Sequence, residues 1–245
     1  MIICCGEALI DMIPTTLDSK ETAFIPKIGG AILNTSICLG RLGANVGFLG
    51  AVSKDLFGEM IFEELNNSKV NTSFCIETSN NTTLAFAKIA NGTTTYSFFD
   101  ENSSNRTICL KDVVLDDNKV DTIYVGGISL MSEPNGTEIE NFIAKESSKK
   151  IVFYDPNVRP NFIEDRSLFI QRFEKILSQS DIIKISEEDL EWLYPNGSFE
   201  EIYKQWLNLS LSIIVLTKGS EGAIIKTKNY EVTSRGEKVE VVDTI

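Results

Sequence analysis

The sequence predicts an α/β fold built on one mostly parallel sheet, and three patterns support this prediction. Short, near-continuous apolar runs rich in β-branched residues recur along the 245 residues, as expected for strands that are covered on both faces. Segments with apolar residues at helical spacing lie between these runs. Two further stretches are extended but do not follow this alternation, which indicates a small second sheet outside the main one.

The predicted strands are the apolar runs at residues 2–9, 46–52, 122–125, 151–154, 182–185, 213–216, 223–225 and 239–242. Apolar residues at helical spacing predict helices around residues 33–42, 57–65, 139–143, 168–177 and 202–206. Strands that alternate with helices favour parallel pairing, because each helix carries the chain back to the start of the next strand.

The two stretches that break this alternation are "FIPKIGG" (24–30) and "TLAFAKIANGTTTYSFFD" (83–100). The second is typical of a hairpin that turns at Asn91-Gly92, the dipeptide most favoured in tight hairpin turns. We therefore expect a projecting β-lid formed by residues of about 12–28 and 84–100. No linker marks a domain boundary, so residues 1–245 are predicted to form a single domain.

Composition excludes several classes of protein. The chain has 35 acidic and 23 basic residues, a net charge of −12 and no histidine. Without a basic cluster it is not expected to bind nucleic acid, and without histidine it cannot use Ser-His-Asp or Cys-His catalysis. The N-terminus resembles neither a signal peptide nor a membrane span, so a cytoplasmic protein without a membrane partner is expected. The five cysteines are predicted to be buried and reduced.

The segment "GGAILN" joins an extended stretch to a predicted helix through Gly29-Gly30. Paired glycines allow a tight turn or a close approach of a ligand to the backbone. Asn34 then lies in the first turn of the helix, where free backbone amides could meet a hydroxylated ligand. Taken alone, the pattern is also that of an ordinary turn before a helix, and it is not a dinucleotide-binding fingerprint.

Three more segments follow predicted strands, at the sheet edge where open α/β proteins bind ligands. "DPNVRP" supplies Arg159, which suits a phosphate, although it also reads as a simple turn. "KISEEDLEWL" contains Ser186 and Asp189, which could instead form a helix cap. "TKGSEGA" offers backbone amides to a phosphate, or equally a hairpin turn.

Seven segments in a fixed order carry a family resemblance: "GEALID" (6–11), "GGAILN" (29–34), "GFLGAVSKDLFG" (47–58), "DPNVRP" (155–160), "KISEEDLEWL" (184–193), "TKGSEGA" (217–223) and "VVDTI" (241–245). Together they resemble the ribokinase-like, or PfkB, family of sugar kinases along the whole chain. "DPNVRP", "SKDLFG" and "SNR" (104–106) look most like fructokinases and next like 2-keto-3-deoxygluconate kinases. The resemblance implies a Rossmann-like core with a β-lid.

The resemblance also implies roles for individual residues. The residues expected to hold sugar hydroxyls are Asp11, Gly29, Gly30 and Asn34, and those expected to approach the sugar from the lid are Phe98, Phe99 and Arg106. Ile32 stands where many members have proline, a minor departure beside the sugar. The implied substrates are a sugar and ATP, and the lid leaves room for a homodimer formed through it.

On the nucleotide side, the resemblance assigns Arg159 to the transferred phosphate. The positions that match nucleotide-binding residues of the family are Asn157, Ser186, Thr217, Gly219 and Gly222. Ser186 and Asp189 match a motif that is Asn-x-x-Glu in many members and that acts on Mg²⁺ indirectly. Aspartate has a shorter reach than glutamate, so the placement of the metal is the weakest part of the match.

In this family, "VDT" is followed by a Gly-Ala-Gly-Asp stretch whose helix N-terminus forms an anion hole and whose aspartate is the general base. The sequence reaches Asp243-Thr244-Ile245 and no further. We therefore expect a C-terminally incomplete chain that is inactive as a kinase on its own. Asp243 is the expected ligand for a monovalent cation such as K⁺.

The resemblance thus predicts a Mg-ATP-dependent carbohydrate kinase, most like a fructokinase. A 2-keto-3-deoxygluconate kinase is the alternative, and its anionic substrate should require an extra cation near the lid. A sugar- or nucleotide-binding protein without catalysis is a second alternative, favoured by the expected loss of the base. An NAD-dependent oxidoreductase is disfavoured, because no G-x-G-x-x-G follows the first strand.

Overall fold

The computed structural model describes residues 1–90 and 93–239. The strands are β1 (Ile2–Cys5), β2 (Leu9–Thr16), β3 (Thr22–Gly29), β4 (Val46–Leu49), β5 (Ala51–Ser53), β6 (Ile76–Thr78), β7 (Thr83–Ala90), β8 (Thr93–Phe99), β9 (Thr122–Gly126), β10 (Ile151–Asp155), β11 (Ile182–Ser186), β12 (Ile213–Thr217), β13 (Ala223–Lys226) and β14 (Glu231–Ser234). The helices are α1 (Ala31–Arg41), α2 (Leu56–Asn67), α3 (Asn135–Glu146), α4 (Arg166–Ser178), α5 (Glu187–Leu193) and α6 (Phe199–Trp206).

The main sheet has the strand order β14-β13-β12-β11-β10-β9-β1-β4 within the described residues. The pairs from β4 to β12 are parallel, and only β13 and β14 run antiparallel at one edge. Helical crossovers place successive parallel strands side by side, as the alternating pattern predicts. The expected α/β fold with a mostly parallel sheet is therefore confirmed.

Both faces of the main sheet are buried, and β1 shows how. Ile3 and Cys5 pack into one apolar cluster with residues of α3 and α4, such as Ile139 and Phe173. Cys4, between them, belongs to a second cluster with residues of α1 and α2. Because successive side chains of a strand point to opposite faces, a strand covered on both sides must be apolar throughout. This explains the unbroken apolar runs in the sequence.

A four-stranded sheet with the order β3-β2-β7-β8 contains both of the extended stretches found in the sequence. In its register Asp11 lies beside Ala85, and Ala85 lies beside Phe98. Residues in register on neighbouring strands share a face, so Asp11 and Phe98 lie on the same side of this sheet. The predicted turn at Asn91-Gly92 falls outside the described residues. We call this four-stranded sheet the lid.

Some expectations fall differently. Cys4 and Cys5 are buried, but Cys38 and Cys109 are exposed, so the prediction that all five thiols are buried was wrong. Cys38 lies on the exposed face of α1, which an apolar neighbourhood in sequence does not reveal, and Cys109 lies outside the helices and strands. Most of the strand predicted at 239–242 lies in residues 240–245, outside the described part. Among the described helices, none is long and apolar enough to cross a bilayer.

Candidate active site

The carboxyl ends of β10, β11 and β12 bring three of the sequence motifs together. Ser186 and Thr217 are partners in the register of β11 and β12, and β11 also pairs with β10, which ends at Asp155. Neighbouring parallel strands end at the same edge of a sheet. "DPNVRP", "KISEED" and "TKGSEG" therefore form three adjacent loops, although they are far apart in sequence. This edge is where open α/β sheets bind ligands.

A cavity of about 430 Å³ lies between the lid and this edge, a size suited to a small molecule. We call it the lid cavity. It is lined by Glu7, Leu9, Asp11, Gly30, Ala31, Asn34, Thr95, Tyr96, Phe98, Ile128, Asn157, Arg159, Pro160, Asn161 and Phe162. Four of the seven residues predicted to contact a sugar are in this set. The structure thus brings Asp11 and Asn34, from a strand and a helix, to one enclosed space.

Asp11 lines this cavity and forms no ion pair within the described residues, although Lys27 lies beside it in the register of β2 and β3. Its half-buried carboxylate lies directly over Gly29, where an added Cβ would come within 2.0 Å of Oδ2. Glycine is therefore required at position 29 to make room for the carboxylate. Burial raises the pKa of Asp11 to about 6. A carboxylate held in this way can accept hydrogen bonds from ligand hydroxyl groups.

Glu7 fixes the beginning of α1 against the core, a role that the sequence analysis did not assign. Its buried carboxylate accepts hydrogen bonds from the Ile32 amide at 3.3 Å and from the Ser129 hydroxyl at 2.9 Å. Gly30, at the N-cap with a φ of 104°, has no side chain that could cap the helix. The first turn of α1, with Asn34, therefore borders the cavity. The segment "GEALID" could have predicted this role, because a glutamate just after a buried strand needs hydrogen-bond donors.

Phe98 and Phe162 form part of the cavity wall. Their rings meet edge to face with centroids 4.3 Å apart, and Phe162 comes from the turn after "DPNVRP". Phe99 does not lie in this wall. It is 63% exposed and packs against Phe86 on the other face of the lid. Successive strand residues face opposite ways, so Phe98 and Phe99 cannot both approach a sugar, and the expectation for Phe99 is corrected.

Arg106 is also turned away from the lid cavity. Its Nε donates to Asp100 Oδ2 at 2.6 Å, and its Nη1 donates to the Glu133 carbonyl at 3.2 Å. Buried Asp100 further accepts hydrogen bonds from the hydroxyl groups of Thr83 and Ser103. Arg106 therefore joins the base of the lid to the core. Arg106 does not line the lid cavity, and its expected contact with a sugar stays a prediction.

This position leads to a prediction for Arg106→Met. The substitution leaves Asp100 buried without its charged partner, so we expect the free energy of unfolding to fall by about 1–3 kcal/mol. Urea denaturation measures it, with Arg41→Met as the control. Arg41 is exposed and pairs with Glu64, so its loss should cost about 1 kcal/mol or less. Unchanged stability together with weaker sugar binding would indicate that Arg106 contacts the sugar and does not mainly stabilise the fold.

A second anchor holds the lid to α2. Asp55 caps this helix by accepting from the Gly58 amide at 2.9 Å, and it also accepts from the Thr82 amide at 2.7 Å. Although burial raises the pKa of Asp55, the hydrogen bonds from Thr82 and Gly58 bring it below its ordinary value. The "SKDLFG" segment therefore ties the start of β7 to the core.

A second cavity, of about 370 Å³, opens along the strand ends beside the first. We call it the strand-end cavity. It is lined by Asn157, Val158, Arg159, Pro160, Lys184, Ser186, Glu188, Asp189 and Trp192. Asn157, Arg159 and Pro160 line both cavities. A ligand in one cavity would therefore meet a ligand in the other across the "DPNVRP" loop.

Arg159 lies in this shared wall with most of its hydrogen-bonding capacity unused. Nη1 donates to the carbonyl of Val158 at 2.9 Å. Within the described residues, no carboxylate is within ion-pair distance of its guanidinium. Arg159 is exposed, so a partly solvated guanidinium is available to an anion. Asn157, two residues earlier, has a φ of 44°, a left-handed conformation that asparagine tolerates.

Ser186 takes the cap role considered for it, and Ser186 and Asp189 also lie where a ligand could reach them. The Ser186 hydroxyl accepts from the Asp189 amide at 3.0 Å and so caps α5, and both residues line the strand-end cavity. Asp189 Oδ1 accepts from the Val158 amide at 3.1 Å. Burial raises the pKa of Asp189, while the hydrogen bond from Ser186 lowers it. No described group of three or more acidic or cysteine side chains forms a complete metal cage.

The "TKGSEGA" loop borders the same edge outside the linings of the two cavities. The Thr217 hydroxyl donates to the Ile185 carbonyl at 3.4 Å. Gly219 and Gly222 have φ angles of 54° and 102°, which strain other residues. The structure therefore places the three predicted residues next to the strand-end cavity. Asp243 lies outside the described residues.

A wider surface groove of about 860 Å³ lies between α5 and α6 and shares Trp192 with the strand-end cavity. Arg166 lines it, with its guanidinium stacked on Trp192 at 4.9 Å. None of the predicted site residues lines this groove. Volume alone therefore does not locate the chemistry.

Comparisons with known proteins agree with this geometry. The family model for the pfkB family carbohydrate kinases matches residues 1–245. The chain is 40% identical over 245 residues to a fructokinase from Rhizobium leguminosarum bv. trifolii, covering all of this chain and 75% of that protein. It therefore spans about three quarters of the length of this relative.

Solved structures share the fold. A fructokinase from Xylella fastidiosa with bound ATP has a TM-score of 0.89 at 24% identity, covering 99% of this chain and 76% of that one. A Vibrio cholerae fructokinase with fructose, ADP and calcium ion bound has a TM-score of 0.85 at 23% identity, covering 99% and 78%. With the family model matching from end to end, the chain belongs to the pfkB family of carbohydrate kinases.

Proposed function

We propose that this protein is a fructokinase that transfers the terminal phosphate of ATP to a hydroxyl group of fructose. The observation that carries the proposal is the pair of adjoining cavities that share Asn157 and Arg159. Phosphoryl transfer requires an acceptor and a donor held in line, with charge stabilisation between them. Two cavities that meet at an arginine provide this arrangement. The 40% identity to a fructokinase supports the choice of sugar.

In this proposal the lid cavity holds the sugar. Asp11 accepts hydrogen bonds from sugar hydroxyl groups, and the amide of Asn34 donates and accepts in fixed directions. Gly29 and Gly30 allow the backbone to come close to the ligand. Phe98 covers the sugar from the lid side, together with Phe162.

The charges around the lid cavity favour a neutral sugar over 2-keto-3-deoxygluconate. Arg159 is the one cation among the described residues that line it, while Glu7 and Asp11 are acidic. Arg106, the other cation expected near the lid, is paired with Asp100. A sugar acid would place its carboxylate close to two carboxylates with no cation of its own.

The strand-end cavity and its neighbouring loops hold ATP. Thr217, Gly219 and Gly222 present the turn that follows β12, and Ser186 lies beside Thr217. Asn157 and Arg159 then contact the phosphate that is transferred. A guanidinium in this wall stabilises the charge that spreads over the phosphate oxygens during transfer.

Mg²⁺ fits the residues at this edge. Mg²⁺ typically binds through one or two carboxylates, water and the substrate phosphates, so a complete protein cage is not needed. Glu188 and Asp189 line the cavity, and Asp189 would act on the ion through its water shell. A metal ion would also favour the ionised form of Asp189, whose pKa is raised by burial. K⁺ at Asp243 and a general base after Thr244 remain predictions from the family resemblance.

The decisive experiment measures ADP release with Mg-ATP and either fructose or 2-keto-3-deoxygluconate, together with calorimetric binding of each compound. We expect fructose to bind and to support turnover in the full gene product. Preference for the sugar acid would overturn the choice of substrate. Binding without turnover in any form of the protein would favour the non-catalytic alternative. Turnover by the 245-residue chain equal to that of a chain extended through the following coding sequence would contradict the expected position of the base.

We also propose that two copies associate through the outer face of the lid. Phe24, Phe86 and Phe99 form an aromatic cluster there, with ring centroids 5.0 and 5.3 Å apart. Phe24 is 41% exposed and Phe99 is 63% exposed. Exposed aromatic clusters typically mark contact surfaces.

This association predicts a dimer that Phe99→Ser converts to a monomer. Light scattering coupled to size-exclusion chromatography measures the mass, with Tyr230→Ser as the control, since Tyr230 is 75% exposed and lies away from the lid. A wild-type monomer at micromolar concentration would refute the association. A dimer that persists in Phe99→Ser would move the interface to another surface.

A further inference from the structure

Lys184 is a cationic side chain of the strand-end cavity that the argument so far has not used. It lies in β11, where Ile183 and Ile185 are fully buried on one face while Lys184 and Ser186 share the other. Its side chain is 28% exposed and lines the same cavity as Arg159 and Ser186. A lysine in the middle of a buried parallel strand is unusual, because ammonium groups are rarely placed where they lose water.

The ammonium group is held by one acceptor only. Nζ donates to Asp155 Oδ2 at 3.0 Å, and within residues 1–90 and 93–239 it has no other hydrogen-bond partner. An ammonium group has three N–H donors, so two stay available on the side of the cavity. Asp155 is fixed in turn by the Tyr124 hydroxyl, which donates to the same oxygen at 3.0 Å. The position of the ammonium is therefore set before any ligand arrives.

The ion pair between Lys184 and Asp155 is not explained by a contribution to the stability of the fold. Asp155 is 6% exposed, and its Oδ1 is buried without a hydrogen-bond partner in the described residues. A buried ion pair with an unsatisfied oxygen gains little over apolar residues of similar size. The arrangement instead keeps a cation at the wall of a cavity that is bordered by Arg159 on one side and by Ser186 at the strand end.

We propose that Lys184 binds the phosphate chain of ATP beyond its first phosphate, as a second cation beside Arg159. This inference rests on the proposed function, since it takes the strand-end cavity as the site of the phosphates. Lys184 and Arg159 are the cations among the described residues that line this cavity, and Glu188 and Asp189 are its acids. Two cations neutralise part of the charge of a triphosphate, whereas a monophosphate needs fewer.

The test compares the dissociation constants of Mg-ATP and AMP, measured by calorimetry on the full protein. In Lys184→Met we expect the affinity for Mg-ATP to fall about tenfold or more, as for the loss of a hydrogen bond to a charged group. The affinity for AMP and for fructose should change less than about threefold. Lys184→Arg keeps the charge and should recover part of the loss. If Lys184→Met does not fold, Lys184→Gln gives the same comparison.

Lys150→Met is the matched control. Lys150 is another buried lysine, with a side chain 1% exposed and Nζ 2.7 Å from Asp117 Oδ1, and it lies at the opposite end of β10. Its loss should lower the melting temperature without changing the ratio of Mg-ATP to AMP affinity. Equal losses for Mg-ATP and AMP in Lys184→Met, or no loss, would overturn the proposal. Failure of the wild-type protein to bind Mg-ATP would instead overturn the proposed function.

Discussion

The Arg159→Lys variant is expected to lose about 10²- to 10³-fold in kcat, the scale seen when one preorganised donor to a developing charge is removed. Lysine keeps the charge but cannot present two parallel N–H donors to a phosphate. Arg159 lines both cavities and has no carboxylate partner among the described residues. The loss should therefore appear in turnover, with smaller changes in the affinity for fructose.

Stability should change little in this variant. Arg159 is exposed, and substitutions of exposed residues typically alter the free energy of unfolding by about 0.5 kcal/mol or less. Arg41→Lys is the control, because Arg41 is also exposed and lines neither cavity. It should keep full turnover. A large fall in the melting temperature of Arg159→Lys, with normal kcat, would make Arg159 a structural residue.

The Asp11→Asn variant is expected to lose about 10- to 150-fold in kcat/KM for fructose while its affinity for Mg-ATP stays unchanged. A hydrogen bond that involves a charged acceptor contributes roughly 1.5–3 kcal/mol, and asparagine of the same shape removes the charge. Asp18→Asn is the control, since Asp18 is exposed at the lid turn between β2 and β3. Unchanged kinetics in Asp11→Asn would remove Asp11 from the sugar site.

The raised pKa of Asp11 gives this prediction a dependence on pH. With a folded-state pKa of about 6 against an ordinary value of 3.8, the folded protein favours the protonated carboxyl. The contribution of the Asp11 carboxyl to the free energy of unfolding is full below pH 3.8 and is lost as the pH rises through about 6. Asp11→Asn should therefore be more stable than wild type at pH 8 but not at pH 3.5. The KM for fructose in wild type should rise as the pH falls below 6.

The sequence predicted the fold because burial on both faces leaves a direct mark on a strand. Ile3, Cys4 and Cys5 are apolar in succession, and each faces a covered side of the sheet. The positions of three motifs directly after predicted strands also placed them at one edge of the sheet, since parallel strands bring their ends to one edge. These features depend on residue type and chain direction, which are both visible in sequence.

Other features depended on which partner a side chain selects. "SNR" does not reveal that Arg106 pairs with Asp100, because that contact requires the chain after β8 to fold back on itself. Phe98 and Phe99 could have been separated by strand alternation alone, had the register of β8 been known. Lys184 was passed over because it lies inside an apolar run, and its contact with Asp155 joins two strands.

The chain passes between the lid and the main sheet in only a few short segments of the described structure, at residues 6–8, 29–30, 82–83 and 99–103. Asp55 and Arg106 fasten two of these crossings to the core. Asp11 and Phe98 belong to the lid, whereas Asn34 and Arg159 belong to the core. A rotation of the lid about these crossings, away from the core, would pull the two walls of the cavity apart. A sugar that contacts both walls would therefore hold the lid closed against the core. Binding of the sugar and exclusion of water from the cavity would then occur together.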